Sequence, residues 1–159
     1  MSNTYTQCYV HIVFAVKGRH TNGSQIRVGK KWKEDLQKYM TSVIQANHHK
    51  LLAINCMPDH THIFIGYHLA QPIPLLVKKI KESTTKWITQ NRLSYNPFSW
   101  QDGYGAFTYS RSQISNVANY IENQEEHHKK ITFKDEYLKI LKDFNVDYNP
   151  KYLFEFNDD

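Results

Sequence analysis

The sequence predicts an α+β fold. It is a ferredoxin-like, RRM-like β-α-β-β-α-β antiparallel sheet with helices on one face and additional helices at the C-terminal end. Three observations carry this. Short apolar runs alternate with longer amphipathic stretches in that order. The two middle runs are separated only by Pro58-Asp59, which reads as a hairpin turn. The chain has 159 residues, 40% of them hydrophobic, which favours a single domain over residues 1–159 with its own core.

Residues 9–16 (YVHIVFAV) are nearly continuously apolar and rich in β-branched side chains, as in a strand buried on both faces. Residues 18–29 are polar and turn-rich and read as a loop. Over residues 30–47, Trp32, Leu36, Tyr39, Met40 and Val43 recur at helical spacing with charges between them. Residues 50–57 (KLLAINCM) and 60–67 (HTHIFIGY) are the hairpin strands. Pro72 suits the first turn of a helix, and Ile73, Leu76, Val77, Ile80, Trp87 and Ile88 mark one face of that helix as far as Asn91. Residues 103–110 (GYGAFTYS) form the fourth strand. Ser112 starts a helix with Ile114, Val117, Ala118 and Ile121 as its stripe. A last short helix spans residues 133–144, before an irregular aromatic end.

Composition narrows the function classes. The net charge of +5 suits a polyanionic partner without proving one. No apolar run is long enough for a membrane-spanning helix. Lys17, Arg19 and His20 follow the first apolar run at once, unlike a signal peptide. A cytoplasmic protein, nucleoid-associated when bound to DNA, is expected. Cys8 and Cys56 lack metal-site spacing and are expected as free thiols.

The first chemical signal is His60-Thr61-His62. On a strand, positions i and i+2 share a face, so both imidazoles project together and can share a divalent cation. Asp59 stands beside them as a ligand or an outer partner. The apolar continuation Ile63-Phe64-Ile65 puts this strand in the middle of the sheet, where a polar pair needs a reason. The second signal is a tyrosine. Of the 11, Tyr67, Tyr109 and Tyr120 have Gln four residues on. Only Tyr120 and Gln124 fall inside one predicted helix, where i and i+4 share a face. Tyr120 lies at the edge of the apolar stripe, and a Gln oxygen can ligate a hard cation without repelling a phosphate. Lys78, Lys79, Lys81, Lys86 and Arg92 decorate the helix that follows Pro72; they serve as a solvated face or as phosphate contacts. Among Tyr95, Phe98, Trp100 and Tyr104, any that are exposed can stack unpaired bases. His127, His128, Lys129 and Lys130 end the Tyr120 helix, where cations complement the helix dipole.

Together these segments resemble a family. YVHIVFAVKGR, MPDHTHIFI, VKKIKESTTKWI, WQDGYGAFTYS, VANYIENQEEHHKKITFKDEY and YNPKYLFE are similar, in order, to the single-tyrosine HUH transposases of the IS200-like insertion sequences, including REP-associated tyrosine transposases. The most specific part is PDHxH followed at a distance by GYGAF and YIxNQxxHH. The resemblance implies a homodimer that cleaves and rejoins single-stranded DNA with hairpin ends through a 5′-phosphotyrosine. By position it implies Tyr120 as nucleophile and His60, His62 and Gln124 as ligands of Mg²⁺ or Mn²⁺. Thr61 stands where the family prefers a bulky hydrophobic residue, and its β-branch still suits a strand. Ser110-Arg111-Ser112-Gln113 lacks the hinge glycines of some relatives. The competing readings are a domesticated relative, a non-catalytic nucleic-acid-binding module, and a zinc hydrolase using His60, His62 and His127.

Overall fold

The computed structural model describes residues 3–18 and 25–156; residues 19–24 of the predicted loop lie outside the described residues. Four strands form one antiparallel sheet: β1 (Tyr9–Ala15), β2 (Lys50–Cys56), β3 (His60–Gly66) and β4 (Gly105–Tyr109), in the spatial order β2-β3-β1-β4. Helices α1 (Lys33–Ala46) and α2 (Ile73–Gln90) are the two crossovers. After β4 come a 3₁₀ turn (Arg111–Gln113), then α3 (Ile114–Glu122), α4 (Gln124–His127) and α5 (Phe133–Asp143). This is the predicted ferredoxin-like order, with β3 and β1 central.

Alternation along the central strands divides the core into two layers. Val10, Ile12 and Phe14 of β1, Val16 just past its end, and Ile63 and Ile65 of β3 face α1 and α2. They pack on Leu36, Met40 and Ile44 and on Leu76, Val77, Ile80 and Ile88. Each such buried aliphatic contributes about 1.5–3 kcal/mol. Phe98 and Trp100 close this layer, and the Trp100 indole donates to Thr84 Oγ1 at 2.9 Å. Both rings are buried, so of the four candidate stacking aromatics only Tyr95 stands fully exposed.

The opposite sheet face carries His11, Val13 and Ala15 of β1 beside Phe64, His62 and His60 of β3, their register partners. The C-terminal helices cover it: α3 rests Val117 and Ile121 on Ala53 and Phe64, and α5 rests Phe133, Tyr137 and Leu141 on Val13, Ala15 and Phe107. Gly105 permits this approach, since a Cβ there would stand 2.6 Å from Tyr137 Oη.

Two local features differ from the sequence reading. Pro72 is the N-cap of α2, with extended backbone, and it is Pro74 that lies in the first turn. The helix predicted to hold both Tyr120 and Gln124 pauses at Asn123 (φ −95°, ψ 21°), between α3 and α4. There Asn55 of β2 donates its Nδ2–H to the carbonyls of Ile121 at 2.9 Å and Glu122 at 3.4 Å. The sheet thus supplies donors that the next helical turn would otherwise provide.

Both cysteines are free thiols. Burial pushes the Cys56 thiol up to about 12, so it carries almost no thiolate at neutral pH. In native protein at pH 8, a thiol reagent is expected to modify half-buried Cys8 and to reach Cys56 only after denaturant is added. Equal rates at both would contradict the burial of β2.

Candidate active site

The hairpin and the pairing of β3 with β1 build the first half of the site. Pro58-Asp59 forms the tight reversal, closed by Met57 N–H donating to His60 C=O at 2.7 Å. Strand periodicity then puts His60 and His62 on the face under the C-terminal helices, both fully buried, with ring centroids 5.0 Å apart. Each ring is held by its Nδ1. His60 Nδ1 lies 2.6 Å from Asp59 Oδ1, and the His60 ring stacks on Phe133 at 4.0 Å. His62 Nδ1 lies 2.8 Å from Nε2 of His11, whose ring stacks on it. Both Nε2 atoms are thereby turned away from the sheet toward one point.

The second half comes from α3, α4 and α5, and its centre is Glu136. Its Oε1 is 3.1 Å from His62 Nε2, 3.2 Å from His128 Nε2 and 3.5 Å from His60 Nε2. Its Oε2 accepts the Tyr120 hydroxyl, in a short contact, and Gln124 Nε2–H at 2.9 Å. Gln124 Oε1 lies 3.3 Å from His60 Nε2. His127 Nε2 is buried, 3.3 Å from Glu136 Oε2, and makes no hydrogen bond there. Among the described residues, His60, His62, His128 and Glu136 form the one group whose ligand atoms suit a metal ion, all within 4.8 Å of one another.

The electrostatics follow from this crowding. Burial depresses His62 to about 4, against the opposing pull of Glu136. Burial and neighbouring His62 hold His11 well below the ordinary imidazole range. Burial would raise Glu136, but hydrogen bonds from His128 and His62 and the imidazole charges keep it ionised far below the carboxylate range. Burial lowers His128, yet Glu136 outweighs it and raises that imidazole. Burial would likewise raise Asp59, and the His60 N–H holds it below its usual value. Burial first and the Glu136 charge second push Tyr120 far above the ordinary phenol value. In this arrangement the Tyr120 hydroxyl keeps its proton.

The half-buried Tyr120 ring reaches solvent through a cleft of about 330 Å³ lined with His127, Glu136, Val117 and Ile140. A buried nitrogen-rich cluster, one acidic oxygen and a tyrosine hydroxyl thus meet at the end of an open groove. Residues 4–124 match the family described as IS200-like transposase. The chain belongs to this family. It is 25% identical over 123 residues to the ISDra2 transposase TnpA of Deinococcus radiodurans, covering 74% of this chain and 84% of that one. Its fold is similar to the crystal structure of a protein assigned as a transposase from Deinococcus radiodurans. That likeness has a TM-score of 0.58 at 22% identity and covers 78% of this chain and 95% of the other. It is also similar to a REP-associated tyrosine transposase bound to a REP hairpin, with a TM-score of 0.58 at 12% identity over 82% and 74% of the two chains.

In this family member, the structure brings together His60, His62, Gln124 and Tyr120, the residues expected as a unit. The tyrosine helix docks on β2 and β3 of its own chain. The basic residues do not join them. Lys78, Lys79, Lys81, Lys86 and Arg92 belong to α2 and its C-terminal end, and α2 packs on the opposite sheet face. Lys81 is half-buried and donates to the carbonyls of Gln101 at 2.8 Å and Gly103 at 2.7 Å, so its ammonium is already engaged. Lys79 donates to Asn47 Oδ1 at 3.3 Å, and Lys78 pairs with Glu82 at 4.0 Å. The cluster contains His128 rather than the His127 of the zinc-hydrolase alternative. Sequence reasoning missed Glu136 and His11. The available signal for Glu136 was a carboxylate in register with the apolar stripe Phe133, Tyr137 and Leu141.

Proposed function

We propose that this chain is a metal-dependent HUH transesterase that cleaves and rejoins single-stranded DNA hairpin ends, with Tyr120 as nucleophile and His60, His62 and Gln124 around the cation. The observation that carries the reading is the convergence of the Tyr120 hydroxyl, the Gln124 side chain and the inner nitrogens of His60 and His62 on one buried point. The donor set fits a divalent ion: two imidazoles with anchored outer nitrogens and an amide oxygen 3.3 Å from one of them. Mg²⁺ or Mn²⁺ held there would act as a Lewis acid on the scissile phosphate.

The chain's own residues do the rest. Asp59 and His11 fix the rings of His60 and His62. Gln124 brings an uncharged oxygen to the site and so does not repel phosphate. Tyr120 Oη forms a bond to phosphorus while the bond from phosphorus to the strand's 3′ oxygen breaks. The products are a 5′-phosphotyrosine and a free 3′-hydroxyl. Glu136 Oε2, which the hydroxyl faces, orients it for attack, and the proton that the phenol gives up is matched by the one that the departing 3′ oxygen takes up to become the hydroxyl. Because the phosphotyrosine keeps the energy of the broken diester, a 3′-hydroxyl can reverse the step. A homodimer would bring two such tyrosines to two ends. Lys78, Lys79, Lys86 and Arg92 would then meet phosphates of the hairpin remote from Tyr120, across the sheet. The hairpin-bound REP transposase of similar fold supports a hairpin as the ligand.

The test uses labelled single-stranded hairpins from the flanking genome, with Mn²⁺ or with EDTA, on denaturing protein gels. The expected result is a metal-dependent covalent band whose digest contains a nucleotide-bearing peptide with Tyr120. An adduct mapped to another residue, or hairpin binding with no adduct, would sink the assignment; the second result would favour a binding module.

A further inference from the structure

We infer that Glu136 and His128 complete the cation site, giving three imidazoles and a carboxylate, so that the ion held is of the transition-metal class, with Mn²⁺ preferred to Mg²⁺. This rests on the metal-dependent reading above and changes its ligand set. Both residues lie beyond Gln124, where the family match ends.

Tautomers carry the argument. His60 Nδ1 faces a carboxylate oxygen at 2.6 Å, and His128 Nδ1 faces the Ile131 carbonyl at 2.8 Å. Both partners can only accept, so both Nδ1 atoms carry protons. A ring that carries only that one proton has a lone pair at its inner nitrogen, and these nitrogens stand 3.5 Å (His60) and 3.2 Å (His128) from Glu136 Oε1, so without a cation the hydrogen bond from His128 needs a second proton on that ring. Lone pairs facing an anion repel each other unless each ring gains a second proton or a cation lies among them. A single divalent ion satisfies all of these atoms at once. The spacings suit that arrangement. Donors bound to one ion at about 2.0–2.1 Å stand about 2.8–3.0 Å apart in octahedral and about 3.3–3.4 Å apart in tetrahedral geometry, and His62, His128 and His60 stand 3.1, 3.2 and 3.5 Å from Oε1. Outer hydrogen bonds on all three imidazoles are the usual support of metal-binding histidines. Three nitrogens and one carboxylate favour a transition metal, whereas Mg²⁺ prefers oxygen.

The other oxygen gives Glu136 a second task. Oε2 receives the Tyr120 hydroxyl and the Gln124 amide. A carboxylate that binds the ion through Oε1 therefore sets the distance between ion and nucleophile. Gln124 becomes a brace for Glu136 as well as an oxygen donor beside His60.

Titration of metal-free protein with Mn²⁺, read by the electron paramagnetic resonance of free ion and by the visible spectrum of the Co²⁺ form, tests this. Mn²⁺ is expected to bind at least about tenfold tighter than Mg²⁺. Glu136→Gln and His128→Ala should each weaken Mn²⁺ at least about tenfold and alter the Co²⁺ spectrum. Glu136→Asp should recover part of the loss, and His60→Ala should lose binding. Melting of the metal-free variants shows that they are folded, and His128→Ala carries the test if Glu136→Gln is not. Should both variants keep Mn²⁺ affinity within about threefold of the parent while His60→Ala loses it, this ligand set is wrong and the His60–His62–Gln124 reading stands. Should the parent protein bind no divalent ion, both fall.

Discussion

Tyr120→Phe is expected to abolish the covalent DNA adduct, lowering its rate of formation by at least about 10⁴-fold, the scale on which enzymes lose activity with their nucleophile. The substitution removes one oxygen and keeps the ring, which packs edge-on against His62 at 6.0 Å and His127 at 5.2 Å. Glu136 Oε2 would still accept from Gln124 Nε2 at 2.9 Å, so the cost in stability should be no more than about 1–2 kcal/mol. Mn²⁺ affinity and hairpin binding should be unchanged. That separation is the informative part, because a general loss of folding would move all three measurements. The check is a time course of adduct on denaturing gels, beside Mn²⁺ titration and gel-shift of the same preparation. Residual adduct within about tenfold of the parent rate would assign the nucleophile elsewhere.

The parts of this site that could be read from the sequence are those set by local periodicity. His60 and His62 share a face because strands repeat every two residues, and the Pro58-Asp59 turn fixes where that strand begins. Tyr120 and Gln124 share a face because helices repeat near four, and they still do so across the pause at Asn123. What could not be read depends on contacts between distant segments. Glu136 is 74 residues from His62, and beside exposed Asp135 in a first helical turn it looks like an acid complementing the dipole. Only the docking of α5 makes one of these neighbours a solvated charge and the other the centre of the site. His11 has the same difficulty, a single polar letter inside YVHIVFAV whose partner lies on another strand. The sequence predicts α1 and α2 on the sheet; that α3 and α5 cover its second face follows from no periodicity, since their stripes call for burial without naming the surface.

Phe64→Ala is expected to destabilise the protein by about 3–5 kcal/mol, close to half of what a domain of this size commonly has. Thermal unfolding should drop by roughly 10 °C, whereas Phe64→Leu should cost under about 1.5 kcal/mol. Phe64 is fully buried and follows His60 and His62 along the same face of β3. The strand therefore presents two imidazoles and then an apolar pad, and on that pad lie Val117 and Ile121 of the helix that carries Tyr120. Removing the ring opens a cavity under α3 and leaves His60, His62 and their outer partners in place. Below its melting temperature the variant should thus bind Mn²⁺ normally and form adduct more slowly, since the nucleophile has lost its support and the cation site has not. The same measurement tests whether α3 rests on its own chain in solution. If the tyrosine helix docks instead on a second copy, the stability loss relative to the parent should shrink as the protein is diluted into monomer, because the pad is then filled only in the dimer. A loss independent of concentration would fix the helix on its own β3, and a loss under about 1 kcal/mol would mean that Phe64 is not covered by α3 at all.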